Sequence, residues 1–350
     1  MLSVGLVGLP NAGKSTLFNL LTKRSVPAEN FPFCTIDPHD GIVEVPDERV
    51  ARLAKLTNSQ KEVYAAIEFR DIAGLVKGAS SGAGLGNQFL SHIREVDLIL
   101  MVVRAFEGED IIHVENRVNP REDEEILMME LTLADQSSLE KQIPKFEKDA
   151  RGSDDFAKQK IEVAKNILDK LNKNLPASSL ELGINTDKEI LKWRKSLNLL
   201  TDKSILRLAN VAQEGLNKQY EADFELDVLL ESSLADLSQQ ERLELGVEGD
   251  TGLDKLIKAC YYKLNLATYL TAGETESRAW TFSKGWTAPQ CAGVIHTDFE
   301  KNFIKSETIS YHDLINAGSR KTAIEQGKVR IEGKEYLMQD GDVVEFKIGK

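Results

Sequence analysis

A lysine and a hydroxyl residue directly behind a glycine, with a second glycine one short loop earlier, can hold a polyphosphate. Gly8-Leu9-Pro10-Asn11-Ala12-Gly13-Lys14-Ser15 has this form, fits G-x-x-x-x-G-K-[ST], and is followed by Thr16. Gly8 and Gly13 permit turns and close approach that a side chain would block. Asn11, Ala12, Gly13, Lys14, Ser15 and Thr16 are therefore candidate nucleotide-binding residues, lining a nest of backbone N–H groups at a helix N-terminus. In this chemistry Lys14 reaches the β- and γ-phosphates, as a catalytic as well as a binding group, and the Ser15 hydroxyl ligates Mg²⁺.

Two later stretches supply what such a loop needs for phosphoryl chemistry. Thr35 lies in Asn30-Phe31-Pro32-Phe33-Cys34-Thr35-Ile36-Asp37-Pro38, whose two prolines argue against a helix. A threonine in a loop between the first helix and the second strand can complete the Mg²⁺ shell. Asp71-Ile72-Ala73-Gly74 follows a strand-like run, so Asp71 can hold Mg²⁺ through water and Gly74 can offer its N–H to the γ-phosphate. D-x-x-G is weak alone and strong in this order. The glycine- and serine-rich segment from Lys77 to Asn87 reads as a mobile switch loop.

The elements that must position these residues are legible in outline. Leu2 to Val7 is a short apolar run suited to a buried strand, and Ser15 to Leu21 opens a helix. Gly41 to Val45 and Ala66 to Arg70 read as strands. The continuous apolar run within 97–106 is of the type covered on both faces of a parallel sheet. From Glu122 onward the spacing becomes helical: Phe156, Ala164, Ile167, Leu168, Leu171 and Leu175 fall on one face, and 126–143 has a similar pattern. A helical hairpin follows, either projecting from the nucleotide domain or packed flat on its sheet. Ser204 to Asn210 returns to strand character, and after Ala279 short strands alternate with turns at Gly333 and Asp340-Gly341-Asp342. The expected division is 1–121 with 201–278, a helical insertion over 122–200, and a small β-rich module over 279–350.

The chain has 350 residues, 41% of them apolar, and a net charge of −12, which argues against coating nucleic acid by bulk electrostatics. The charge is uneven: residues 140–200 carry 13 Lys+Arg against 10 Asp+Glu, a mildly basic segment that suits either RNA or a solvated helix face. Cys34, Cys260 and Cys291 are few and scattered, which fits reduced thiols better than disulfides or zinc. No apolar run is long enough to span a bilayer and no leader precedes the first strand, so a soluble, cytoplasmic protein with no membrane partner is expected.

The stretches GLPNAGKSTLFNLLT, NFPFCTIDP, DIAGLVKGAS, YLTAGETESRAWTF, TAPQCAGVIHTDFEKNFI and DGDVVEF closely resemble the YchF subfamily of Obg-like P-loop proteins, the Obg-like ATPases. The resemblance spans most of the chain and is weakest in the helical middle. It implies an α/β fold with a Ras-like G domain, an inserted α-helical hairpin and a C-terminal TGS domain of β-grasp type. It also implies association with the ribosome, both subunits and their rRNA, as a monomer with no specific DNA partner, and a preference for ATP over GTP.

The base-reading motif departs from that family. Guanine-specific relatives use N-K-x-D, and YchF proteins typically N-x-x-E, where this chain has Asn210-Val211-Ala212-Gln213 unless Glu214 shifts into place. Asn210, Val211 and Gln213 remain the candidate base-binding residues, because a neutral amide can donate to adenine N1 and accept from N6. The usual Ser/Cys-Ala loop is also missing near Asp227-Val228-Leu229-Leu230-Glu231. Leu75 stands where many GTPases place the glutamine that orients water, so hydrolysis is expected to be slow. By resemblance His113 is the candidate to position that water, and Asn11 matches the asparagine that potassium-activated relatives use to hold K⁺. The expected function is a slow, Mg²⁺-dependent ATPase acting as a conformational switch on the ribosome. The alternatives are a nucleotide-bound ribosome or RNA adaptor without turnover, and a guanine-specific GTPase.

Overall fold

The computed structural model describes residues 2–25, 40–72, 85–107, 117–152, 154–183, 186–212 and 220–349. Thr35, Gly74, Leu75, His113, Gln213, Glu214 and Cys34 lie outside these residues. In chain order the elements are β1 (Ser3–Val7), α1 (Lys14–Thr22), β2 (Asp40–Glu44), α2 (Glu48–Thr57), β3 (Lys61–Val63), β4 (Ala66–Asp71), α3 (Leu85–Glu95) and β5 (Leu98–Arg104). The middle of the chain forms α4 (Pro120–Asp149), α5 (Asp155–Asn172), α6 (Lys188–Ser196), β6 (Ser204–Asn210), β7 (Phe224–Leu226), α7 (Val228–Ala235), α8 (Gln239–Glu244) and α9 (Gly252–Lys263). The remainder forms β8 (Leu266–Ala272), β9 (Glu276–Ser283), α10 (Ala288–Ile295), α11 (Thr297–Lys301), β10 (Phe303–Ser310), α12 (Tyr311–Ala317), α13 (Arg320–Glu325), β11 (Arg330–Glu332) and β12 (Asp342–Ile348).

Two compact units result, one built mainly from 1–23 and 68–248, the other mainly from 42–67 and 249–350. The first is organised on a six-stranded sheet of order β2-β4-β1-β5-β6-β7. β1 pairs in parallel with β4 and β5, β5 with β6, and β6 with β7. Every residue of β1 and β5 is buried, as their unbroken apolar runs require. Parallel pairing brings the carboxyl ends of the strands to one side. Leu6 stands opposite Asp71, Arg104 opposite Asn210, and Asn210 opposite Leu226. Residues expected in a mobile loop, 85–87, instead open α3, which buries Phe89, Leu90 and Ile93 at helical spacing against the sheet.

The helical insertion has two cores. Leu127, Leu131 and Ala134 of α4 pack with Met101 and Val103 of β5, whereas Leu139 joins Val163, Ala164, Ile167 and Leu171 of α5 and Ile190 of α6 in a separate cluster. The hairpin thus carries its own apolar interior beyond the part that lies on the sheet. Phe156 and Leu168 pack against that interior. Leu175 departs from the expected stripe: α5 ends at Asn172, Asn174 takes a left-handed φ of 57°, and Leu175 is 41% exposed. Asp135, fully buried on α4, fastens the return of the chain by accepting from the N–H groups of Leu200 and Thr201 at 2.8 Å each and the Thr201 hydroxyl at 2.7 Å.

The second unit is built on the sheet β11-β10-β12-β8-β9-β3. β8 and β9 pair antiparallel, as do β10 and β12, while β12 runs parallel to β8 and β3 parallel to β9. This sheet draws on β8 from Leu266 and on β3 from Lys61, both upstream of Ala279. Tyr269, Phe282, Phe303 and Val344 form its core together with Cys291, and Cys260 and Cys291 are buried free thiols. Burial pushes the Cys291 thiol up to about 12, which leaves it inert. Among the described residues no helix is long and apolar enough to cross a membrane.

Candidate nucleotide site

The phosphate loop hangs between the buried β1 and the first turn of α1. Its conformation depends on two left-handed positions, Asn11 at φ 63° and Gly13 at φ 96°, the latter being the N-cap of α1. Alternation of left- and right-handed residues turns successive N–H groups toward one concave side, which is the geometry of an anion nest. Both glycines are sterically required. A Cβ on Gly8 would lie 2.4 Å from the Val102 carbonyl oxygen of β5, and one on Gly13 would lie 2.3 Å from Asn210 Nδ2. The cradle is therefore shaped by backbone from β5 and by a side chain from β6, not by the loop alone. Ala12 is buried, while Asn11, Ser15 and Thr16 are exposed.

Lys14 is 7% exposed, and its Nζ donates to the Leu9 carbonyl oxygen at 2.8 Å. Burial lowers its pKa to about 8, opposed by the charge of Asp71. A cation held in so dry a place gains much from an incoming phosphate. Ser15 Oγ and Asp71 Oδ2 lie 3.5 Å apart at the carboxyl edge of the sheet. Together they offer two hard oxygen donors from separate elements. That suits Mg²⁺, which keeps several waters and takes its other ligands from phosphate. Among the described residues no group of three or more His, Cys, Asp or Glu could hold a metal by itself, so the donor set fits an ion shared with a nucleotide.

Asn210, expected to contact the base, is 5% exposed and ties three segments together. Its Nδ2 donates to the Ala12 carbonyl oxygen at 3.1 Å and its Oδ1 accepts from the Val228 N–H at 3.3 Å. It thereby fixes the phosphate loop to the start of α7. Val211 packs against the sheet core and donates its N–H to the Leu226 carbonyl oxygen. Asp227, noted in the sequence only as part of the stretch that lacks the usual Ser/Cys-Ala loop, caps α7 by accepting from Leu230 N–H at 2.9 Å. An aspartate directly before an apolar helical run was the signal available for it. The structure thus brings Asn11, Ala12, Gly13, Lys14, Ser15, Thr16, Asp71 and Asn210 to one edge. Thr35, Gly74, His113 and Gln213 lie outside the described residues.

The chain is similar to known proteins along nearly all of its length. A family model described as 50S ribosome-binding GTPase matches residues 3–138, and the C-terminal model of the YchF GTPases, described as a protein of unknown function, matches 266–349. The "Ribosome-binding ATPase YchF" of Bacillus subtilis is 48% identical over 366 residues, covering 99% of each chain. The protein of the same name from Mycoplasma genitalium is 46% identical, again over 99% of each. The solved structure of the Schizosaccharomyces pombe YchF GTPase superposes with a TM-score of 0.85 at 36% identity, covering 99% of this chain and 97% of that one. These relatives cover nearly the whole chain at well above 30% identity, and the chain belongs to the YchF family.

Proposed function

We propose that this chain is a ribosome-associated nucleotide hydrolase that prefers ATP, turns over slowly and acts as a monomeric, cytoplasmic switch in translation. The observation that carries the reading is the glycine cradle closed by a buried lysine beside the Ser15–Asp71 pair. Lys14 and the N–H groups from Asn11 to Thr16 hold the phosphates, while Ser15, and Asp71 through water, hold Mg²⁺. Bound there, Mg²⁺ supplies charge neutralisation at the β- and γ-phosphates. Thr35 and Gly74 complete the grip on the γ-phosphate, Asn11 holds K⁺, and His113 orients the water that Leu75 cannot. Asn210, Val211 and Gln213 line the base. The two similar curated proteins are named as ribosome-binding ATPases, and that name supports the ribosome, with its subunits and rRNA, as the partner.

In this reading residues 1–121 and 201–278 carry the nucleotide, the insertion over 122–200 and the C-terminal TGS domain over 279–350 face the ribosome, and β8 and β3 extend that domain's sheet. Calorimetric titration with ATP and GTP tests the assignment. Wild type is expected to bind ATP more tightly, and Lys14→Ala to lose binding; unchanged ATP affinity in that variant would overturn it. Leu75 favours a second reading, a nucleotide-bound adaptor. Single-turnover phosphate release with ribosomes and K⁺ separates the two, since release no faster than in buffer supports the adaptor.

A further inference from the structure

We infer that Asp227 is a base-selecting residue of this chain, a carboxylate that accepts the 6-amino group of adenine and opposes the 6-oxo group of guanine. The inference rests on the ATP reading above and deepens it. In an open parallel sheet the ligand lies outside the carboxyl ends of the strands, and a nucleotide whose phosphates sit in the loop after β1 must lay its base along the neighbouring ends. Asn210 ends β6, its register partner Leu226 ends β7, and Asp227 follows directly.

Asn210 brings this corner to the phosphates, because the same side chain that holds Ala12 of the loop also holds Val228 N–H. The Val228 N–H is thereby engaged, and what this wall adds next to it is the acceptor-only side chain of Asp227. One Asp227 oxygen accepts from Leu230 N–H, and the residue is half-buried, so the carboxylate is held in place with a second oxygen to offer. The first turn of α7 favours a negative charge there.

Competition against a fluorescent ATP analogue, with ATP and GTP as displacers, tests the inference in wild type, Asp227→Ser and Asp227→Asn. Both replacements keep the α7 cap. The ATP-to-GTP affinity ratio is expected to fall roughly tenfold in Asp227→Ser, the size of effect that one buried, unmatched hydrogen-bonding group produces. In Asp227→Asn the ratio is expected to fall further, because the amide can donate to the guanine oxygen. Affinity for inorganic triphosphate, which has no base, should hold in both variants and shows that the site is folded. A ratio within twofold of wild type in both variants would overturn the inference whichever nucleotide wild type prefers. Wild-type preference for GTP would instead overturn the ATP reading, so the two failures are distinct.

Discussion

Lys14 is the side chain on which the proposed phosphate site turns. Its ammonium group, held dry against the Leu9 carbonyl, titrates near 8 against 10.5 for an ordinary lysine. Because the folded-state value is the lower one, the group opposes folding at pH 7, and that opposition fades as pH rises from about 8 toward 10.5. An incoming polyphosphate favours the charged form and raises the value, so binding takes up a proton above pH 8. ATP affinity is therefore expected to fall about tenfold between pH 7 and pH 9. Calorimetry at both values, in buffers of different ionisation heat, reads the affinity and the proton together; a flat profile would show that Lys14 does not carry the phosphate charge. The form of the loop was legible because its residues are consecutive in the chain. Asn210's hold on Ala12 was not, since it joins residues 198 apart in the chain and no local pattern announces such a bond.

Asp135 shows how an element is held in the position the site needs. On α4, between the part packed on β5 and the part packed on α5, its carboxylate satisfies two N–H groups and one hydroxyl where the chain returns toward β6. Asp135→Ala would leave the buried N–H groups of Leu200 and Thr201 without a partner, at a cost of about 3 kcal/mol. Faster hydrogen exchange at those two amides and a lower melting temperature are expected, with a smaller loss in Asp135→Asn, which keeps one acceptor. Equal exchange in all three proteins would show that α4 is held by its apolar face alone. The face itself was legible, because Ala164, Ile167 and Leu171 recur at helical spacing and are buried in the structure. Leu175 broke the pattern because Asn174 turns the chain out of the helix first, and the tie through Asp135 is a single polar residue among many on a charged helix.

At the scale of the whole molecule, the segment between Thr35 and Asp71 in the chain supplies part of the second unit. α2 and β3 were not legible as partners of the C-terminal sheet, because β3 is a short, largely exposed strand whose pairing is with β9, Lys61 opposite Glu276. Within that unit Arg49 of α2 bonds Asp47 at 2.7 Å and Asp340 at 2.9 Å, and Ser59 Oγ lies 2.8 Å from Ser277 Oγ and 2.6 Å from the Gly273 carbonyl oxygen. Asp340 in turn accepts from Thr268 N–H of β8. In the proposed switch Thr35 and Asp71 grip the nucleotide from either end of the segment that carries α2, and α2 is fastened to β8 and β9, so the effect should be read there. Hydrogen exchange in α2, β8 and β9 is expected to slow when ATP and Mg²⁺ are added. Arg49→Ala, which removes the bond to Asp340, should weaken that response while leaving ATP affinity intact, since among the described residues the Arg49 side chain bonds Asp47 and Asp340. A response confined to residues 8–22 in wild type would mean that the C-terminal sheet does not sense the nucleotide, and that any switching on the ribosome proceeds through the helical insertion.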